Sequence, residues 1–139
     1  MKRLLLTFAF TILAFVGCKD DFEDFGYVNF YVEPDSTMYA NLNLGSRGWE
    51  YFEGGYRGVI VCRNNYDNFK AYERSCTLDG CHGRLEVDET DNVTIVCSKC
   101  GAGYLSYDGS PLSGSGAKRF LYMYCTVYDG QRLWVSNCR

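Results

Sequence analysis

Four of the eight cysteines in this 139-residue chain fall in two close pairs, Cys76-x4-Cys81 and Cys97-x2-Cys100, and no other feature restricts its folding as much. Fifteen residues separate the pairs, enough for a β-hairpin that brings both to one end. Gly101, directly after the second pair, lets the backbone turn and aim N–H groups back at sulfur, as a tight metal knuckle requires. Four thiolates meeting in this way suit tetrahedral Zn²⁺ or an iron–sulfur centre. His82 is the one histidine of the sequence, so no site that needs two imidazoles can form. Next to Cys81 it is an alternative fourth ligand, in a Cys₃His set. The four-cysteine set is complete without it, which favours an exposed loop histidine.

The hairpin between the pairs is legible. Arg84 to Asp88 alternates outward and inward residues, a polar turn follows from Glu89 to Asn92, and Val93 to Cys97 returns as a second strand. Tyr27 to Val32 is aromatic and β-branched, and Pro34-Asp35 ends it. Gly58 to Cys62 is a continuous apolar run, suited to a strand buried on both faces. Phe120 to Tyr128 and Arg132 to Ser136 flank Asp129-Gly130, a hairpin turn pair. No stretch of ten or more residues after Tyr27 shows a helical period. Aromatics at 17% and only two prolines agree with short strands and tight turns. The expected fold is all-β, a small antiparallel barrel or sandwich. Cysteine- and glycine-rich loops, Ser75 to Gly83 and Cys97 to Gly103, project from it, and a third loop runs from Asp108 to Gly116.

The first residues read as an export signal. Lys2 and Arg3 precede an uncharged stretch from Leu4 to Val16, shorter than the roughly 20 residues a spanning helix needs. Phe15-Val16-Gly17-Cys18 resembles the lipobox of bacterial lipoproteins, with Phe15 where Leu is usual. That resemblance implies cleavage after residue 17, Cys18 as lipid anchor, and a protein held on the membrane of the bacterial cell envelope. Residues 18–27 then form an acidic tether, in which Asp20, Asp21, Glu23 and Asp24 repel one another. With 14 Lys+Arg against 17 Asp+Glu the chain carries −3, which disfavours a nucleic-acid partner.

Residues from about Gly54 to Asn137 resemble the Rieske iron–sulfur domain, whose first box reads C-T-H-x-G-C and whose second reads C-P-x-H-G. Here the boxes are Cys76-Thr77-Leu78-Asp79-Gly80-Cys81 and Cys97-Ser98-Lys99-Cys100-Gly101. Gly54 to Gly58, Ala71 to Arg74 and Tyr104 to Gly109 agree with the surroundings of those boxes, and Pro111 to Phe120 is similar to the loop that covers the cluster. The resemblance implies a Rieske-like domain over 28–139, with a metal-loop subdomain at about 74–116. It places Cys76 and Cys97 at the two cysteine-ligand positions, but Leu78 and Cys100 stand where the histidines belong. Cys81 matches a cysteine that forms a disulfide in respiratory members, and Lys99 stands at its partner's position. A His₂Cys₂ centre is therefore excluded. Oxygenase catalysis falls with it, since the His-rich iron domain of such enzymes is missing.

Three readings stay open. Cys76, Cys81, Cys97 and Cys100 could hold a 2Fe-2S cluster, with thiolates lowering the potential toward about −400 mV and a redox protein as partner. The same sulfurs could bind structural zinc. In an oxidising compartment the loops could instead be closed by disulfides, leaving a metal-free binding or interaction module. Cys62 and Cys125 are expected in the core or as a cross-strand bridge, and at least one of the seven cysteines after Cys18 stays free if no metal binds and no second chain contributes. Trp49, Trp134 and the twelve tyrosines are expected chiefly in the core, a carbohydrate-binding face being the alternative. No Ser-His-Asp set, P-loop or paired-acid site supports hydrolase chemistry.

Overall fold

In the computed structural model, residues 25 to 138 are described; the expected export signal, Cys18 and most of the expected acidic tether lie outside them. Runs of β-branched and aromatic residues form nine strands in this part: β1 (Asn29–Val32), β2 (Trp49–Phe52), β3 (Val59–Arg63), β4 (Phe69–Glu73), β5 (Leu85–Val87), β6 (Thr94–Cys97), β7 (Gly103–Leu105), β8 (Met123–Tyr128) and β9 (Leu133–Ser136). A 3₁₀ segment kinked at Tyr39, Thr37–Leu42, joins β1 to β2. The strands make two antiparallel sheets, one of six in the order β1-β9-β8-β4-β3-β2 and one of three in the order β5-β6-β7. The architecture is all-β, as the sequence implies.

β3 explains how the sheets share one strand pair as their support. All five of its residues are buried, and they alternate between two cores. Val59 and Val61 pack with Val28, Leu42, Tyr124 and Leu133 inside the curve of the large sheet. Ile60 and Cys62 face the other way and meet Leu85, Ile95 and Tyr104 of the small sheet. Each fully buried Val or Ile side chain contributes about 1.5–3 kcal/mol. Tyr72 of β4 reinforces the junction: its hydroxyl donates to the Ser106 carbonyl at 2.9 Å, out of contact with water.

At the end of β4, Glu73 is fully buried and fully partnered. Its carboxylate accepts from the backbone N–H groups of Tyr56 (2.9 Å) and Arg57 (2.8 Å), from Ser75 Oγ (2.9 Å) and from Tyr124 Oη (2.7 Å). The turn that wraps it needs a glycine: Gly55 has φ +62°, and a Cβ there would strike the carboxylate and the Tyr124 hydroxyl. This anchor fixes the exit of β4, three residues before Cys76.

Several expectations change. Cys125 on β8 bonds Cys138 just beyond β9, with Cα atoms 5.0 Å apart. Cys62 cannot reach it, because β4 lies between β3 and β8, and it remains a buried free thiol whose ionisation burial pushes up to about 12. Trp49 is buried as expected, whereas Trp134 is 42% exposed, since Leu133 and Val135 take the inward positions of β9. It lies against Tyr31 on the outer face, ring centroids 4.9 Å apart. β8 begins at Met123 rather than Phe120, because Leu121 N–H is already engaged by the Gly109 carbonyl.

Glu73→Gln, which turns an amide NH₂ toward donors that now face a carboxylate, is expected to lower the unfolding free energy by roughly 2–3 kcal/mol. Tyr124→Phe removes one of the four bonds and should cost roughly 1 kcal/mol. Urea denaturation followed by tryptophan fluorescence reads both; equal effects would contradict the anchor.

Candidate metal centre

Two loops meet at the open end of the β5-β6 hairpin, one entering β5 and one leaving β6. The first is closed by Cys76 N–H donating to the Gly83 carbonyl at 3.0 Å and Cys81 N–H to the Leu78 carbonyl at 2.9 Å. In the second, Gly101 N–H donates to the Cys97 carbonyl at 2.9 Å, with Gly101 at φ +75°, a conformation natural only to glycine. These turns bring Cys76, Cys81, Cys97 and Cys100 together, their four Sγ atoms all within 4.8 Å of one another. Cys76 and Cys100 sulfurs are 3.7 Å apart, Cys81 and Cys97 sulfurs 3.6 Å, so each close pair joins the two loops. All four are free thiols. His82 is exposed and stands outside this group.

The surroundings suit a metal bound by thiolates. Backbone N–H groups of Leu78, Gly83 and Ala102 point at the sulfurs of Cys76, Cys81 and Cys100, in each case from two residues further along. Such donors stabilise anionic sulfur. A Cβ on Gly83 would collide with the Cys97 sulfur and lie 2.8 Å from Lys99 Cβ, so the glycine keeps open the space that the sulfurs occupy. The edge of a tetrahedron of sulfurs around zinc, with bonds near 2.3 Å, is ~3.8 Å, close to both observed pairs.

The sulfurs are not equivalent. Burial pushes the Cys76 thiol up to about 12 despite the Leu78 N–H and the Tyr104 hydroxyl. Burial also pushes Cys81 upward, but hydrogen bonds from Cys100, the Gly83 N–H, Cys97 and Cys76 outweigh it and bring Cys81 to about 7. Cys100 is raised, by burial first. Near neutral pH Cys81 is thus closer to its thiolate form than Cys76 or Cys100.

Tyr104, buried on β7, was not marked by spacing as a site residue. Its hydroxyl lies 3.6 Å from Cys76 Sγ and 3.1 Å from Thr77 Oγ1. Thr77 Oγ1 also lies 3.1 Å from the Arg119 carbonyl, which ties the third loop to the site. Thr77 has one proton, given either to the Arg119 carbonyl or to the Tyr104 oxygen, and in the second case the phenol proton is free to face the sulfur. Burial, with Cys76 adding to it, holds that phenol protonated up to about 12. Leu78 is half-buried against the small-sheet core, an apolar residue used for packing.

No family model matches this chain, and no curated protein matches it. Solved structures do. The plasma membrane Rieske protein PetC3 of the cyanobacterium Synechocystis PCC 6803 is similar over 69% of this chain and 91% of its own, at 27% identity and a TM-score of 0.53. The ferredoxin of carbazole 1,9a-dioxygenase from Nocardioides aromaticivorans IC177 is similar over 81% of this chain and 99% of its own, at 17% identity and a TM-score of 0.53. A structure of the reduced complex between oxygenase and ferredoxin in carbazole 1,9a-dioxygenase matches 81% of this chain and 29% of its own, at 16% identity and a TM-score of 0.50. The chain carries a Rieske-like domain, with a cysteine-rich group in its loops.

Two measurements check the site. In reduced, metal-free protein, iodoacetamide at pH 7.5 is expected to label Cys81 well before Cys76, with a rate that rises through about pH 7 as the thiolate forms. Gly83→Ala should keep the far-ultraviolet circular dichroism and lose most bound metal, about tenfold or more in affinity; full metal content in that variant would contradict the packing described.

Proposed function

We propose that this protein is a lipid-anchored envelope electron carrier whose Cys76, Cys81, Cys97 and Cys100 hold a 2Fe-2S centre. The observation that carries this reading is the meeting of four free sulfurs within 4.8 Å on a Rieske-like scaffold. The Cys125–Cys138 disulfide suits an exported protein. In an oxidising compartment a metal would keep the four neighbouring thiols from pairing with one another. Bound there, the cluster supplies a one-electron couple. The chain supplies the four ligands, the N–H groups of Leu78, Gly83 and Ala102, and the Tyr104 hydroxyl toward Cys76.

All four ligands being thiolates sets the potential well below that of a centre with two imidazoles, toward about −400 mV. Its partner, by analogy with the ferredoxin seen in complex with an oxygenase, is a redox protein. The charged start, the uncharged stretch and the lipobox-like Phe15 to Cys18 support export and attachment through Cys18, and the Cys125–Cys138 disulfide agrees with export.

A second reading has its own observation. The sulfur pairs match the edge of a single tetrahedral site, which favours one zinc ion and a structural or binding role.

Anaerobic purification of the full chain, with metal, sulfide and thiol analysis, decides. Equal iron and acid-labile sulfide, with visible absorbance that bleaches on adding dithionite, is the expected result. Zinc alone supports the second reading, and oxidised cysteines without metal support a metal-free module. Incorporation of labelled palmitate that disappears in Cys18→Ala tests the anchor.

A further inference from the structure

We propose that the loops around the four sulfurs form a basic docking rim, centred on Lys99 and Lys118, for an acidic face of a redox protein. This names the partner's surface chemistry for the site just described and rests on the electron-carrier reading. Charge is unevenly distributed along the chain. Residues 76–83, 97–101 and 111–120 contain three basic side chains and a single acidic one, Asp79, and the rest of the sequence has eleven basic against sixteen acidic. The tip is therefore where an otherwise acidic protein stops being acidic.

The structure puts these residues on one surface. Thr77 Oγ1 meets the Arg119 carbonyl, and Arg119 pairs with Asp79, so the third loop lies against the first. Lys99 leaves the second loop between two of the ligands, its Cβ next to Gly83 of the first. Lys99, Lys118 and Arg119 are all exposed. Arg119 is matched by Asp79, but neither lysine belongs to an ion pair among the described residues. Phe120, 61% exposed beside them, adds an apolar contact of the kind that anchors interfaces.

Four thiolates with a metal group remain net negative, and the rim offsets that charge while leaving its cations outermost. An acidic partner is then drawn to the tip and repelled by the remainder of the protein, which orients the encounter with the centre foremost. An anionic bilayer is the poorer match, since membrane attraction usually takes clusters of about four to eight Lys/Arg.

The test uses the full chain in detergent, with flavodoxin as acidic probe and cytochrome c as basic probe. Immobilised flavodoxin should bind the protein at low ionic strength. The double variant Lys99→Glu, Lys118→Glu should weaken that binding about tenfold or more, with unchanged metal content and visible spectrum. Electron transfer from dithionite-reduced protein to flavodoxin should slow in step, and transfer to cytochrome c should quicken. Flavodoxin binding that ignores the charge reversal would overturn the rim, even with the iron–sulfur spectrum intact. Loss of binding only to phosphatidylglycerol vesicles would also overturn it, in favour of a membrane surface. If the protein holds no iron, the carrier reading fails, and the binding arm still judges the rim by itself.

Discussion

Four sulfur atoms within 4.8 Å pose an electrostatic problem that the surrounding loops are built to meet. As thiolates they repel one another strongly in a site partly shielded from water. As thiols they are weak donors and acceptors that add little to the stability of loops made largely of glycine and polar residues. A cation resolves the conflict. The loop geometry already anticipates anionic sulfur: three backbone N–H groups are turned toward it, a glycine stands where any side chain would displace it, and a protonated phenol lies beside Cys76. Metal binding in such a site is also loop folding, because the ion joins chain segments that the unfolded state does not hold together.

The placement of those loops depends on elements far from sulfur. The small sheet has little apolar area of its own, and it is held by the outward residues of β3 and by Tyr72 of β4. Glu73 fixes the end of β4 through four hydrogen bonds, and Cys76 follows three residues later. A buried carboxylate of this kind costs several kcal/mol if any large part of its partner set is lost, so it contributes geometry more than net stability. Sequence fixes structure here by a chain of dependencies. Alternation in β3 builds two cores, the second core seats the small sheet, and the small sheet brings the two cysteine loops together.

Much of that was readable beforehand, for a physical reason. β3 announces itself because burial on both faces demands an unbroken apolar run, and the β5-β6 hairpin because half-burial demands alternation. The cysteine pairs announce the site because ligand chemistry tolerates few residue types. β2, β4 and β7 were not delineated: Trp49–Phe52 and Phe69–Glu73 mix charge with aromatics, and Gly103–Leu105 is too short for any period to show. The Cys125–Cys138 pairing depends on the register of β8 with β9 and on the chain continuing two residues past Ser136, which spacing alone does not reveal. Tyr104 became part of the site through the β6-β7 register, opposite Ile95, and a lone tyrosine in a tyrosine-rich chain carries no mark of that.

The separation of the two loops bears on how many metal ions the site takes. Each close sulfur pair contains one cysteine from each loop, Cys76 with Cys100 and Cys81 with Cys97. A single ion uses all four sulfurs at tetrahedral edges, and the observed pairs are near that length. A 2Fe-2S centre held by the same four cysteines would need them further apart than one ion does, so the site would have to open. Resistance to opening is uneven. Cys97 is held by the strand and by Gly83 packing, and Cys76 by the β4 anchor, but Cys81 and Cys100 belong to turns whose outer residues are exposed. The two firmly held sulfurs are also the ones at the cysteine-ligand positions of the Rieske pattern. Opening of the site would therefore fall to Cys81 and Cys100, each moving away from a close partner that stays in place.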